Sequence, residues 1–293
     1  MANWDRQYRF RATTEDGAGF TLGEPAADGR AVHISFSVKR TESTQTNSTT
    51  ITFWNLTQAQ ISTLMTTGCT IEIMASYGSS MPVIFTGTME NVQEELDGAD
   101  RKVTIEAADA FAETYETVVS VSYDEGVSAY KVLTDIAETL GTPVVYSSSA
   151  LSTLQSGAFS GGYSYVGYAQ GVLDDVCEET GLSWTIQNGI LQVSADGEGV
   201  NTYIHVLRKE TGLIRIPKRL YSSEVSSNET GTTEDALYGY EVEYLMNGAI
   251  GVGDTVYLES DIVTGKFLVS TLTITGDNLE GDWTCTADLA ETS

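Results

Sequence analysis

The most restrictive feature of the chain is a set of three strand-like segments that occurs twice, in the same order, about 180 residues apart. CTIEIMAS, VIFTGTMENV and VTIEAADAFAET match DTVYLES, KFLVSTLTIT and WTCTADLAET in sequence and in spacing. Asp109 and Asp288 are expected to follow the last strand of each set on this alignment. A repeated strand set demands a repeated sheet, so the chain is expected to build two related β-barrel-like units, one at each end.

Local patterning agrees with that expectation. Between residues 30 and 40, Val32, Ile34, Phe36 and Val38 alternate with His33, Ser35, Ser37 and Lys39, the period that a sheet with one buried face imposes. Further strands are expected over residues 50–54, 70–75, 83–86 and 102–107, and over 240–244, 254–259, 266–274 and 283–288. One short helix interrupts the first group. Thr57 and Gln60 have capping-box spacing, Leu56 and Ile61 are placed as a hydrophobic staple, and Gly68 lies past the end.

The middle of the chain has another period. Ala129, Val132, Leu133, Ile136, Ala137 and Leu140 recur at helical spacing, Gly141 stops the helix, and residues 144–146 can run as a strand. About forty residues later Val172, Leu173, Val176 and Cys177 take the same places, Gly181 is the stop and 183–187 the strand. A small α/β insertion is the economical explanation. Between the two helices, SGAFSGGYSYVGYAQG reads as a surface loop that could lie on a partner or face a carbohydrate. Residues 222–236, SSEVSSNETGTTEDA, lack apolar periodicity and read as a long mobile loop.

Charge narrows the function. Against 15 Lys and Arg stand 41 Asp and Glu, a formal net charge of -26, and such a surface repels phosphate rather than gripping nucleic acid. From Val103 to Leu207 the only basic residue is Lys131, whereas Arg208, Lys209, Arg215, Lys218 and Arg219 fall close together. That run is the candidate contact for acid-rich segments of a neighbouring subunit. No apolar stretch has the length of a signal peptide core or a membrane helix, so assembly in a cytoplasm without membrane insertion is expected.

Catalytic patterns are poor. The two histidines, His33 on the polar face of an expected strand and His205 in YIHVL, have no companion motif, and neither G-x-S-x-G nor H-E-x-x-H occurs. GAIGVGD lacks the P-loop lysine. Asp174 with Asp175 and Glu178 with Glu179 read as a solvated helix face rather than a glycosidase pair. Asp277, Asn278, Glu280 and Asp282 offer hard-cation oxygens, but their spacing is not that of an EF-hand and a tight strand connection accounts for them. Cys69, Cys177 and Cys285 read as buried thiols, and Trp54 and Trp283 as packing anchors at corresponding edges of the two units. No catalytic residue, metal or cofactor is expected.

Short motifs along nearly the whole chain resemble the phage hub family that includes late-control and baseplate-hub proteins. Trp54, Asn55 and Leu56 match its strand-ending "NL" before a helix; Gly68 and the run to Ala75, Ser76, Tyr77 and Gly78 match the next strand; Ile84, Phe85, Thr86 and Gly87 match "IFxG". Thr211, Gly212, Leu213, Ile214 and Pro217 match "GLIxxP", and Gly253 and Asp254 match "PGD" with Val252 in place of proline. Gly276, Asp277, Asn278, Gly281, Asp282 and Trp283 match the "GDNxxGDW" hairpin. The chain departs from some relatives in lacking basic character and in carrying the loop at 222–236 instead of a tighter connection.

The resemblance implies a mainly β (α+β) chain with two related β-barrel-like hub units, 1–115 and 202–293, flanking an α/β insertion domain at 116–201. It further implies a homotrimer forming a pseudo-six-fold ring that joins a tail-tube protein to a spike or tip protein among neighbouring baseplate proteins. DNA would pass through the lumen without sequence-specific binding, and the virion tail would be the location. A carbohydrate-binding tail or surface adhesin and a tail-associated peptidoglycan hydrolase are the alternatives.

Overall fold

A computed structural model describes residues 5–23, 31–42, 47–77, 80–109, 117–201, 203–221 and 238–291. The N-terminal part contains β1 (Arg6–Thr13), β2 (Gly19–Leu22), β3 (Ile34–Thr41), β4 (Ser48–Trp54), α1 (Gln58–Leu64), β5 (Thr70–Tyr77), β6 (Val83–Asp97) and β7 (Asp100–Ala108). The middle part contains β8 (Val118–Tyr123), β9 (Val127–Ser128), α2 (Ala129–Leu140), β10 (Val144–Tyr146), α3 (Ser148–Ser156), β11 (Ala158–Phe159), β12 (Tyr163–Tyr168), α4 (Ala169–Thr180), β13 (Ser183–Gln187) and β14 (Ile190–Ser194). The C-terminal part contains β15 (His205–Leu207), β16 (Lys218–Tyr221), β17 (Tyr238–Leu245), β18 (Thr255–Glu259), β19 (Thr264–Asp277) and β20 (Trp283–Glu291). The fold is mainly β. Arg30, the loop at 222–236 and the junctions at 115–116 and 202 lie outside the described residues.

The repeat seen in the sequence is a repeat of strand order. Neighbours run β3-β4-β7-β6-β5 in the N-terminal part and β16-β17-β20-β19-β18 in the C-terminal part, antiparallel at every step. Both copies carry a bulge at the same place. The β6–β7 register breaks between Met89 and Asn91, and the β19–β20 register between Val269 and Thr271, leaving Glu90 and Ser270 as the extra residues. Just past the bulge a cross-strand bond recurs: Asn91 Nδ2 donates to Glu106 Oε2 at 3.1 Å and Thr271 Oγ1 to Asp288 Oδ2 at 2.8 Å.

Register corrects two details of the alignment. Asp288 lies inside β20 and corresponds to Glu106, not Asp109, because Glu106 faces Asn91 as Asp288 faces Thr271. Trp54 and Trp283 do not occupy corresponding edges: Trp54 ends β4, whose counterpart ends at Leu245, whereas Trp283 opens β20. Apolar similarity aligned the segments, but only the bulge fixes the offset.

The copies are joined directly. β3 pairs antiparallel with β19 over seven residues, Thr41 opposite Thr271 through Ser35 opposite Asp277, making one 13-stranded sheet. A single apolar cluster therefore draws on both ends, from Phe10, Phe53 and Ile61 to Trp283, Cys285 and Leu289. Phe10 meets Phe53 edge-on at 4.9 Å, and full burial of such side chains contributes about 1.5–3 kcal/mol each relative to exposure. The strand partners differ in one respect: β1 runs antiparallel to β5, while β15 runs parallel to β18.

Strand β6 extends eleven residues beyond the expected 83–86, to Asp97, because its far half is exposed and carries no apolar alternation. The short helix forms as expected, with the reciprocal Thr57–Gln60 capping box and with Leu56 and Ile61 buried. His33 is placed just ahead of β3, not on its polar face.

The middle part has its own apolar cluster, built from Val132, Leu133 and Ile136 of α2 and Val172, Leu173 and Val176 of α4. Gly141 and Gly181 end the two helices at φ 67° and 66°, the left-handed conformation that glycine adopts without steric cost. The two following strands, β10 and β13, flank β14, the first parallel and the second antiparallel. Helix α3 was not expected. Its N-cap is Ser147, and Glu198 accepts hydrogen bonds from Ser147 Oγ at 2.6 Å and Ser149 N at 3.1 Å. The glycine- and tyrosine-rich stretch is not a loop but β11 and β12, the latter paired with β8. Tyr163 donates to Asp175 at 3.0 Å, Tyr165 is half-buried, and Tyr168 is the exposed one of the three.

Candidate functional site

The five basic residues of the candidate contact lie on one connection. Arg208 precedes a 3-10 turn at Lys209–Thr211, Gly212 takes φ 115°, Pro217 is buried, and Lys218 and Arg219 open β16. Three of the five already meet carboxylates of their own chain. Arg208 lies 3.6 Å from both Glu210 and Glu259, Arg215 Nε 2.8 Å from Glu243, and Lys218 Nζ 2.5 Å from Glu241. In all four pairs the cation side is well exposed, and such pairs are worth about 0–1 kcal/mol, so they leave the cations available to a further partner. Lys209 and Arg219 have no ion-pair partner among the described residues. A cleft of about 510 Å³ lies beside the run, lined by Leu213, Ile214, Ile216 and Pro217 with Glu259 and Asp261. Ile214 and Ile216 are 44% and 67% exposed.

The motif residues form joints between strands. Asn55 takes φ 62° and accepts from Arg101 N at 3.0 Å, turning the chain from β4 into α1. A Cβ at Gly87 would meet the Ala108 carbonyl oxygen at 2.3 Å, and one at Gly276 would meet the Phe36 ring at 2.2 Å, so both glycines permit close strand crossing. Gly253 takes φ 82°, and Asp254, buried, accepts from Gly251 N at 2.7 Å and from Asn201.

The hairpin from Gly276 to Trp283 ties the two ends of the chain together. Asn278 accepts from Ile34 N at 2.9 Å and donates to Val32 O at 3.1 Å, while Arg6 donates to the carbonyls of Asp277 and Gly281 at 2.6 and 2.8 Å. Trp283 is buried and donates to Ser76 O at 3.3 Å. Gly281 turns the hairpin at φ 93°, and Asp277 N bonds Asp282 O at 3.0 Å. Asp277 Oδ1 accepts from the amides of Leu279 and Glu280 at 2.9 Å each, and its carboxylate lies 3.2 Å from His33. Burial pushes this carboxyl's pKa up, but the two amides and His33 outweigh it and the net shift is downward. The ring of His33 stacks on Trp54 at 3.9 Å. Asp277 thus spends Oδ1 on its own turn and Asn278 its oxygen on β3, and no cluster of three or more metal-ligating side chains occurs among the described residues.

A buried polar joint between the sheet and the middle part has no counterpart in the sequence analysis. Asn47 Nδ2 donates to Asp109 Oδ2 at 2.7 Å and Gln187 Oε1 at 3.2 Å, and its Oδ1 accepts from Thr41 N at 2.9 Å. Arg40 donates to Ile84 O and to Asn188, which takes φ 52°. Burial lowers the Arg40 pKa to about 10 against the opposing pull of Asp109, and burial raises that of Asp109. One signal was present: Arg40 has the same parity as Ile34, Phe36 and Val38, which places a cation on the buried face.

Comparison by sequence finds no matching family model and no matching curated protein. Comparison of structures does. A tail protein of Neisseria meningitidis MC58 aligns with a TM-score of 0.65 at 9% identity, covering 97% of each chain. The 43 kDa tail protein of prophage MuSo2 from Shewanella oneidensis aligns with a TM-score of 0.66 at 7% identity, covering 98% of each. The chain has the phage tail-protein fold. A component of the E. coli type VI secretion system, itself similar in structure to bacteriophage T4 tail proteins, aligns with a TM-score of 0.56 at 10% identity over 89% of this chain and 74% of that one. Coverage is end to end in the first two, so the tail-protein fold here includes the middle α/β part as well as both strand sets.

Proposed function

We propose that this chain is a non-enzymatic hub subunit of a phage-type tail tip or baseplate. The carrying observation is the doubled strand order with its matched bulges at Glu90 and Ser270, set in the tail-protein fold. Two similar units per chain let three chains present six similar units, which suits a part joining a six-fold tube to a three-fold tip. The units are assigned to 1–115 and 202–293, with the insertion at 116–201, in keeping with the two apolar clusters. The chain works as a homotrimer between a tail-tube protein and a spike or tip protein, beside other baseplate proteins, in a virion tail assembled in the host cytoplasm. With a net charge of -26, its lumen lets DNA pass without sticking.

Light scattering tests the proposal. The expected result is three times the 31.5 kDa chain mass, with ring-shaped particles in electron micrographs. A monomer at all salt and protein concentrations, with no ring on adding tail-tube or spike protein, would sink it.

A further inference from the structure

The repeat leaves one strand edge filled and its counterpart open. In the C-terminal copy, the outer edge of β19 is covered by β18 over residues 264–268 and by β3 over 271–277. In the N-terminal copy β5 covers residues 83–88 of β6, but residues 91–97 pair with β7 on one side and with no described strand on the other. The counterpart of β3 is β16, which pairs with β17 and has no described strand on its outer side. Among the described residues neither edge has a strand partner, and such edges are templates for another strand.

We propose that the open edge of β16 pairs antiparallel with the open edge of β6 in a second copy of this chain, in the register that β3 and β19 show within one chain. This rests on the hub function above and specifies its subunit contact.

The register transfers residue by residue. Glu90 matches Ser270, so β6 and β19 differ by 270 − 90 = 180. Leu220 lies opposite Gly239 as Lys39 lies opposite Ser48, and Gly239 and Ser48 face Ala290 and Ala108 in turn, so Leu220 matches Lys39. Within the chain Thr273 opposes Lys39, Ile274 opposes Val38 and Thr275 opposes Ser37. The corresponding pairs between copies are Gln93 with Leu220, Glu94 with Arg219 and Glu95 with Lys218. Two acids thus fall directly opposite two bases, an outcome that backbone register alone does not require. Opposite charges facing each other across strands stabilise the pairing and like charges oppose it.

The existing ion pairs extend this pattern. Lys102 Nζ lies 2.6 Å from Glu95 and Lys218 Nζ 2.5 Å from Glu241, so the joint lines up Lys102 and Glu95 of one copy with Lys218 and Glu241 of the next, signs alternating. Pro217, lacking an N–H, ends the ladder opposite Leu96. Each copy keeps a free edge of the other type, so the contact is head-to-tail and repeats until a ring closes.

The test uses the full chain with Glu95→Cys and Lys218→Cys. Opposed Cα atoms in an antiparallel pair lie about 4.5–5.5 Å apart, within disulfide reach. The three native cysteines are buried and do not compete. Oxidation should give covalent oligomers that end at a closed species on a non-reducing gel. Glu94→Cys with Lys218→Cys puts the thiols on opposite faces of the sheet and should cross-link about tenfold less. Lys218→Glu with Arg219→Glu should weaken self-association about tenfold or more, and adding Glu94→Arg and Glu95→Arg should restore it. An oligomer of unchanged mass in which the thiols introduced by Glu95→Cys and Lys218→Cys never cross-link overturns the strand pairing and leaves the hub function standing. A monomer under every condition overturns both.

Discussion

At Gly276 the two ends of the chain come within an atom's width of each other. A side chain there would drive into the Phe36 ring, which is 2% exposed and held edge-on against Trp283 at 5.4 Å. The ring cannot retreat, so Gly276→Val is expected to destabilise the fold by about 1–3 kcal/mol, seen as a lower denaturant midpoint at unchanged slope. Gly161 supplies the contrast. Nothing lies within 4 Å of a Cβ built there, so Gly161→Ala should leave the midpoint unchanged or raise it slightly.

Between elements, the decisive contacts are polar and buried. Asn47→Ala removes the side-chain amide that donates to Asp109 Oδ2 and Gln187 Oε1 and leaves the buried carboxylate with the backbone amide of residue 47 at 3.1 Å, a loss of about 1–3 kcal/mol. The sign of the pH effect follows from the direction of the shift. Burial already raises the folded pKa of Asp109, and losing the Asn47 side-chain bond, which lowers it, raises it further. The protonated form is then favoured by folding, so the penalty in Asn47→Ala is full above the folded pKa and relieved as pH falls towards the unfolded value of about 3.9. Thermal melts of both proteins between pH 4 and 7 check this; a constant difference across that range contradicts it. Asn47 also marks where sequence reading stopped. Helices α2 and α4 were legible because Gly141 and Gly181 close an unbroken apolar period, and the short helix because Thr57 and Gln60 cap it. Strand β12 was not, since Gly, Ser and Tyr alternate there without a sharp apolar contrast, whereas β8 does alternate Val119, Val121 and Tyr123 with Ser120 and Ser122 and carried a readable period. The joint through Arg40, Asn47 and Gln187 joins residues about 140 apart in the chain, and no local pattern reports such a contact. Of the candidate contact, the basic run was visible but its partners were not, because Glu241, Glu243 and Glu259 reach it only through sheet pairing.

Across the whole molecule, charge and shape oppose each other. In the proposed ring, chains each carrying -26 repel one another, while the ion pairs proposed for its joints involve few cations, so moderate salt would screen more repulsion than attraction. The assembly is expected to strengthen between low and moderate salt, with apolar burial supplying most of its stability, and sedimentation across a salt series measures it. Steady weakening from the lowest salt upward would contradict that balance.

An extra residue in a strand, such as each of the two bulges holds, reverses which side chains face inward beyond it, so deleting one residue is a frameshift in three dimensions. Beyond Ser270 that frameshift would turn Leu272 and Ile274 out of the core, whereas beyond Glu90 the side chains from Gln93 to Asp97 are already in water. Folding alone therefore holds the C-terminal bulge through Leu272 and Ile274, and the N-terminal one through Val92, which packs half-buried against the same core. In the N-terminal copy the extra residue sets the phase in which Glu94 and Glu95 would meet Arg219 and Lys218 of a neighbour in the proposed pairing, so its worth lies more in the company the chain keeps than in the fold it belongs to.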